Sequence, residues 1–129
     1  MPDVIRPEGW PRPSGSSDGM LASGRFLAVA GQIGRGRDGR LGDGFAGQLE
    51  QALANVVEVV GAAGGRFEHV VSMTIYVTSL AAYQRARPEL GALWRRRAGA
   101  HYPAMTLVEV SGLVDEGALV EVQALAVLP

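Results

Sequence analysis

The sequence contains no cysteine, no lysine and no apolar run close to the roughly 20 residues that a membrane-spanning helix needs. Each absence removes a class of function. Without cysteine there are no disulfides, no thiolate metal sites and no cysteine nucleophile. The basic residues are 12 arginines, set against 13 acidic residues, for a formal net charge of -1. No broad positive field is present to attract phosphate backbones, so nucleic acid is not an expected partner. With no membrane span, and no charged-then-apolar signal pattern at the start, no membrane partner and a cytoplasmic address are the default expectation. Gly34, Gly36, Gly39, Gly42 and Gly44 lie among charged residues. They form neither a GKS/T phosphate loop nor a dinucleotide glycine triplet, and an exposed loop is expected instead.

What is present fits one folded domain spanning residues 1–129. The length supports one core but not two, and 47% hydrophobic against 19% charged residues is a globular balance. A short strand is expected at Asp3 to Ile5, followed by a Pro, Gly and Ser-rich segment from Pro7 to Gly19. Met20 to Ala22 and Arg25 to Gly31 flank Ser23-Gly24 and predict a tight hairpin. Asp43 is positioned to cap a helix carrying Phe45, Leu49, Ala52, Leu53, Val56, Val57 and Val60 at three- and four-residue intervals, ending at Gly64-Gly65. Val70 to Val77 predicts a strand. Ser79 caps a second helix reaching about Arg97, with Pro88 expected to interrupt it. Two strands follow, about Ala104 to Ser111 and Ala118 to Val127. Arg95-Arg96-Arg97 falls at a helix end, where it suits the helix dipole and solvent better than a phosphate.

This order predicts an α+β domain in which two helices pack on one face of a mixed sheet. Parity within the last two strands then sorts their residues. Thr106, Val108 and Val110, with Val120, Val122, Ala124 and Ala126, are expected to face the helices. Met105, Leu107 and Glu109, with Leu119, Glu121, Gln123 and Leu125, fall on the face that no helix of the chain covers. Large apolar side chains there imply burial between subunits, and the acids among them become candidate site residues.

Val29-Ala30-Gly31-Gln32-Ile33, Gln51-Ala52-Leu53-Ala54-Asn55-Val56, Thr74-Ile75-Tyr76-Val77, His101-Tyr102-Pro103-Ala104 and Val120-Glu121-Val122-Gln123-Ala124-Leu125-Ala126, in that order and spacing, resemble the Rid (YjgF) family. The resemblance runs from about residue 17 onward. It implies the chorismate-mutase-like Rid fold, a homotrimer with three clefts between subunits, and a small-molecule substrate. The archetypal activity is hydrolysis of reactive enamines and imines to keto acids and ammonia, with neither metal nor organic cofactor.

Carried over by position, the resemblance places Gly31 and Glu121 in the cleft. There a carboxylate could take the proton of an attacking water. The deaminating subgroup has an arginine after Pro-Ala that pairs with the substrate carboxylate, but this chain has Met105, which lacks a donor. Ser17 replaces a family aromatic, Leu107 a small polar residue and Arg87 a frequent asparagine. The expected cleft is therefore more apolar at its base, with Arg87 a candidate cation at the rim and Tyr102 packing at the edge. His101 is read as a hydrogen-bonding loop residue or an acid-base group near neutrality. The sequence leaves two functions open: a hydrolase for an enamine or imine other than the small α-imino acids, or a trimer that only binds a small metabolite. A ribonuclease finds no histidine pair or basic groove in this chain.

Overall fold

The computed structural model describes all 129 residues. The chain runs β1 (Asp3–Ile5), β2 (Gly19–Leu21), β3 (Arg25–Ile33), α1 (Gly44–Ala62), a 3-10 turn (Phe67–His69), β4 (Val70–Val77), α2 (Leu80–Ala98), β5 (Ala104–Glu109) and β6 (Val120–Leu128). Four strands form a mixed sheet in the order β3-β6-β4-β5, in which β4 and β5 are parallel and the other pairs antiparallel. Both helices lie on one face. The α+β architecture is therefore the one expected from the order of elements.

The apolar stripe of α1 makes the core. Leu53, Val56 and Val60 are fully buried against Val120, Val122 and Ala126 of β6, with Leu93 of α2 closing the side. Complete burial of a Val or Leu side chain contributes roughly 1.5–3 kcal/mol, so this layer dominates stability. Ser79 caps α2 by accepting a hydrogen bond from the Ala82 backbone N–H at 3.1 Å. Asp43 occupies the cap position of α1, but its side chain makes no cap hydrogen bond.

Three local expectations are corrected. β2 pairs with β1 and not with β3, which pairs with β6. Ser23-Gly24 is therefore a crossing between two sheets. Gly24 has φ +145 and lies so close to the Leu128 carbonyl that a Cβ would overlap it, a placement only glycine tolerates. Second, α2 runs unbroken through Pro88. That residue faces solvent, where water can satisfy the carbonyl its missing N–H leaves free.

The third correction concerns β5. Met105 and Leu107 pair with Met73 and Ile75, both buried beneath the helices, and they pack half-buried against the same core. Thr106 and Val108 stand exposed on the opposite face. Leu119 also packs against the core. Directly paired residues point the same way, so β4 decides the orientation of β5. The open face is thus apolar at Phe26, Val108 and Leu125 and not at Met105 and Leu107.

Candidate functional site

The alternation of β6 sends Val120, Val122, Ala124 and Ala126 into the core and leaves Glu121, Gln123 and Leu125 on the open face. A buried amide on α1 fixes where this strand begins. Gln48 donates through Nε2 to the Gly117 carbonyl at 3.1 Å and accepts through Oε1 from the Leu119 N–H at 2.8 Å. Glu121 follows two residues later, between Ile33 of β3 and Tyr76 of β4.

β3 breaks its regular pairing between Val29 and Gln32 and brings Gly31 against the Glu121 side chain. A Cβ at Gly31 would overlap Glu121 Oε2. A strand can lie this close to a carboxylate only where it carries no side chain. On the other flank, the Tyr76 hydroxyl donates to Gln123 Oε1 at 3.0 Å. The phenol's one proton is thereby committed to Gln123, and the half-buried Glu121 carboxylate stays available as an acceptor. Tyr76 was not singled out by sequence, although the outward alternation of Ser72, Thr74 and Tyr76 in β4 carries the signal.

A second group lies away from this face. The segment before β2 docks on the turn before β5: the Ser17 N–H donates to the Pro103 carbonyl at 3.2 Å and its Oγ to the Tyr102 carbonyl at 2.6 Å. The Tyr102 ring stacks on Trp94 with centroids 5.7 Å apart. A cavity of about 630 Å³ opens here, lined by Arg6, Arg12, Ser16, Ser17, His101 and Tyr102 among others. The two arginines are the residues of this region that sequence reasoning missed. They lie before the stretch that carries the resemblance.

His101 lines the cavity and is anchored to the chain behind it. Its Nε2 lies 2.7 Å from the Val70 carbonyl, and its ring meets Phe67 edge-on. The other histidine, His69, is buried and accepts the Arg66 backbone N–H through Nδ1 at 2.9 Å. One nitrogen of each ring is thus engaged with backbone.

Within the chain the candidate residues therefore form two sets. Gly31 and Glu121 meet on the open face. Ser17 and Tyr102 meet at the cavity, and Met105 and Leu107 follow on the helix-facing side of the edge strand. Arg87 sits exposed on α2, donating to Gln84 Oε1 at 3.4 Å, and does not line the cavity. The Arg95-Arg96-Arg97 cluster ties the helices together. Arg96 forms paired hydrogen bonds to Glu50 at 3.1 and 2.9 Å, and Arg97 adds a third at 3.0 Å. Glu50 is held below its ordinary pKa by the Arg96 hydrogen bond first and by Arg97 in addition. No three His, Asp or Glu side chains gather closely enough to hold a metal ion, and no helix is long and apolar enough to cross a membrane.

Comparison with known proteins agrees with this geometry. A family model described as endoribonuclease L-PSP matches residues 11–128. A RutC family protein of Pyrococcus horikoshii is 30% identical, covering 98% of each sequence. Among solved structures, the Rid family protein YyfB of Yersinia pestis, described as of unknown function, superposes with a TM-score of 0.82 at 33% identity over 98% of both chains. The E. coli YjgF gene product superposes with a TM-score of 0.72 at 28% identity, covering 98% of this chain and 99% of its own. Fold and length coincide, and the chain belongs to the Rid (YjgF) family.

Proposed function

We propose that this protein is a trimeric hydrolase of reactive enamines or imines, with Glu121 as the proton acceptor. The observation that carries the reading is the Glu121–Gly31 contact: a half-buried carboxylate, kept clear by a glycine and left unclaimed by Tyr76, on a sheet face that no helix covers.

The two residue sets suggest how the site is completed. Phe26, Val108 and Leu125 surround the face that bears Glu121, and an apolar face of this kind is normally buried by association. A second protomer seated there would bring its Ser17, Tyr102, Met105 and Leu107 toward the Glu121 of the first. Each cleft would then take one set from each subunit.

The chemistry needs no more than this. Protonation of the C=N nitrogen makes the carbon electrophilic, and an enamine reaches the same species by protonation at carbon. Water adds to that carbon while Glu121 takes its proton, forming a carbinolamine. Return of the proton to nitrogen expels ammonia and leaves the carbonyl product. With Met105 in place of a guanidinium, an α-carboxylate in this cleft would be desolvated without a charged partner. The preferred substrate is therefore not a small α-imino acid.

The same missing donor favours a second reading, a trimer that binds a metabolite without turning it over. Ammonia release from a panel of imines generated in solution separates the two, with at least one large or non-α-carboxylate imine expected to be hydrolysed. Folded trimer that leaves every imine at its spontaneous rate favours the binding reading. Light scattering that returns a monomer at micromolar concentration removes the shared cleft.

A further inference from the structure

We infer that the cavity between the N-terminal arm and the Ala100–Tyr102 turn is an anion site, in which Arg6 and Arg12 hold the carboxylate of a small organic acid. This deepens the proposed function by naming where the substrate's charge is held, and its binding test stands apart from catalysis.

Four observations meet at one place. The cavity, about 630 Å³, is of the size that takes a small metabolite. Two arginines line it, Arg6 at the start and Arg12 near the middle of the stretch that joins β1 to β2. The chain's five ion pairs use Arg35, Arg37, Arg66, Arg96 and Arg97, so neither Arg6 nor Arg12 is spent on an internal carboxylate. Asp18 is the one acid in the lining, which leaves the arginines in excess by one charge. Guanidinium is the side chain best matched to a carboxylate, through two parallel N–H donors.

The rest of the lining suits the body of such a ligand. Val4, Met20 and the Tyr102 ring give apolar surface, while the Ser16 and Ser17 hydroxyls are held toward the Pro103 and Tyr102 carbonyls. Ser17 and Tyr102 are also residues of the proposed cleft. A cation here, with Met105 apolar, moves the charge-binding point from the start of β5 to the N-terminal arm. The substrate class that fits is an imine whose carboxylate is separated from the C=N carbon by an apolar spacer.

The test uses the full-length protein and two matched probes, phenylacetate and neutral phenylacetamide, in calorimetric titrations. Wild type is expected to bind phenylacetate at least tenfold more tightly than phenylacetamide. Arg6→Gln and Arg12→Gln should each weaken phenylacetate about tenfold and leave phenylacetamide unchanged, while circular dichroism stays that of wild type. Both residues are solvent-exposed, so these variants should fold. Equal binding of the two probes by wild type, or an unchanged preference in the double variant, overturns the inference. Inorganic phosphate binding ten times more tightly than phenylacetate overturns the carboxylate assignment. Arginine-dependent binding without hydrolysis of any imine would sink the proposed activity and leave this site standing. Hydrolysis indifferent to both substitutions would do the reverse.

Discussion

The two faces of the β3-β6-β4-β5 sheet are made by the same alternating strands, yet one is covered by helices and the other is not. Beneath α1 and α2, Leu53, Val56, Val120 and Val122 are almost wholly removed from water, and no buried side-chain polar atom lacks a hydrogen-bond partner. On the other side, Phe26 is 76% exposed and Val108 and Leu125 over a third, and Glu121 stands among them with its carboxylate unclaimed by Tyr76. A packed face stores stability. An open face of mixed polarity does little for the isolated fold, and it is where the proposed assembly and chemistry are placed. Substitutions on the two faces should therefore fail in different ways.

The largest expected effect is on the packed face. Leu53→Ala removes a fully buried side chain and should cost about 2–5 kcal/mol of unfolding free energy, read as a lower urea midpoint. A loss under half a kcal/mol would mean that α1 is not the main source of stability. Next comes Glu121→Gln, which keeps shape and loses the proton acceptor. It should lower imine hydrolysis about a hundredfold, about 2.7 kcal/mol of barrier, while the urea midpoint stays that of wild type. A fully active Gln variant returns Glu121 to the role of a sheet-face residue.

Met105→Arg probes the boundary between the two faces, at the edge strand. Wild type should be slow on 2-aminoacrylate, whose α-carboxylate finds no donor at position 105. A charge-assisted hydrogen bond contributes roughly 1.5–3 kcal/mol, so the arginine should raise ammonia release from 2-aminoacrylate about tenfold or more. If the folded variant gains nothing, position 105 of this chain does not reach the substrate carboxylate.

What was legible in the sequence follows from contrast between neighbouring positions. In Val120-Glu121-Val122-Gln123 every second residue is polar, and the outward placement of Glu121 could be read without a structure. The α1 stripe was equally clear, because seven apolar residues recur on one helical face. β5 offered no such contrast. Met105 and Leu107 compete with Val108 and Val110, apolar at both parities, and only the parallel pairing with Met73 and Ile75 decides between them. Ser23-Gly24 misled for a related reason: a turn-like dipeptide serves a hairpin or a crossing equally well, and the partner of β2 lies far back in the chain at Asp3–Ile5. The cavity was invisible because it joins Arg6 and Arg12 to His101 and Tyr102, residues about ninety positions apart that no local pattern links.

The smallest expected effect lies in the contact that clasps the two helices of the packed face. Glu50 accepts two hydrogen bonds from Arg96 and one from Arg97, and its pKa is lowered from the ordinary 4.5, by the Arg96 hydrogen bond above all. The folded state therefore releases the Glu50 proton more readily than the unfolded chain. Its stabilisation is fully present above about pH 4.5 and is lost as the pH falls through the lower folded-state value. The pair is far from dry: Arg96 is 59% and Glu50 21% exposed, so solvent screening keeps the contribution small. Glu50→Gln should thus be slightly less stable than wild type in urea at pH 7, and the gap should narrow at pH 3 and shrink in 1 M salt at pH 7. A gap of the same size at pH 3 would show that Glu50 joins the helices by packing and not by charge.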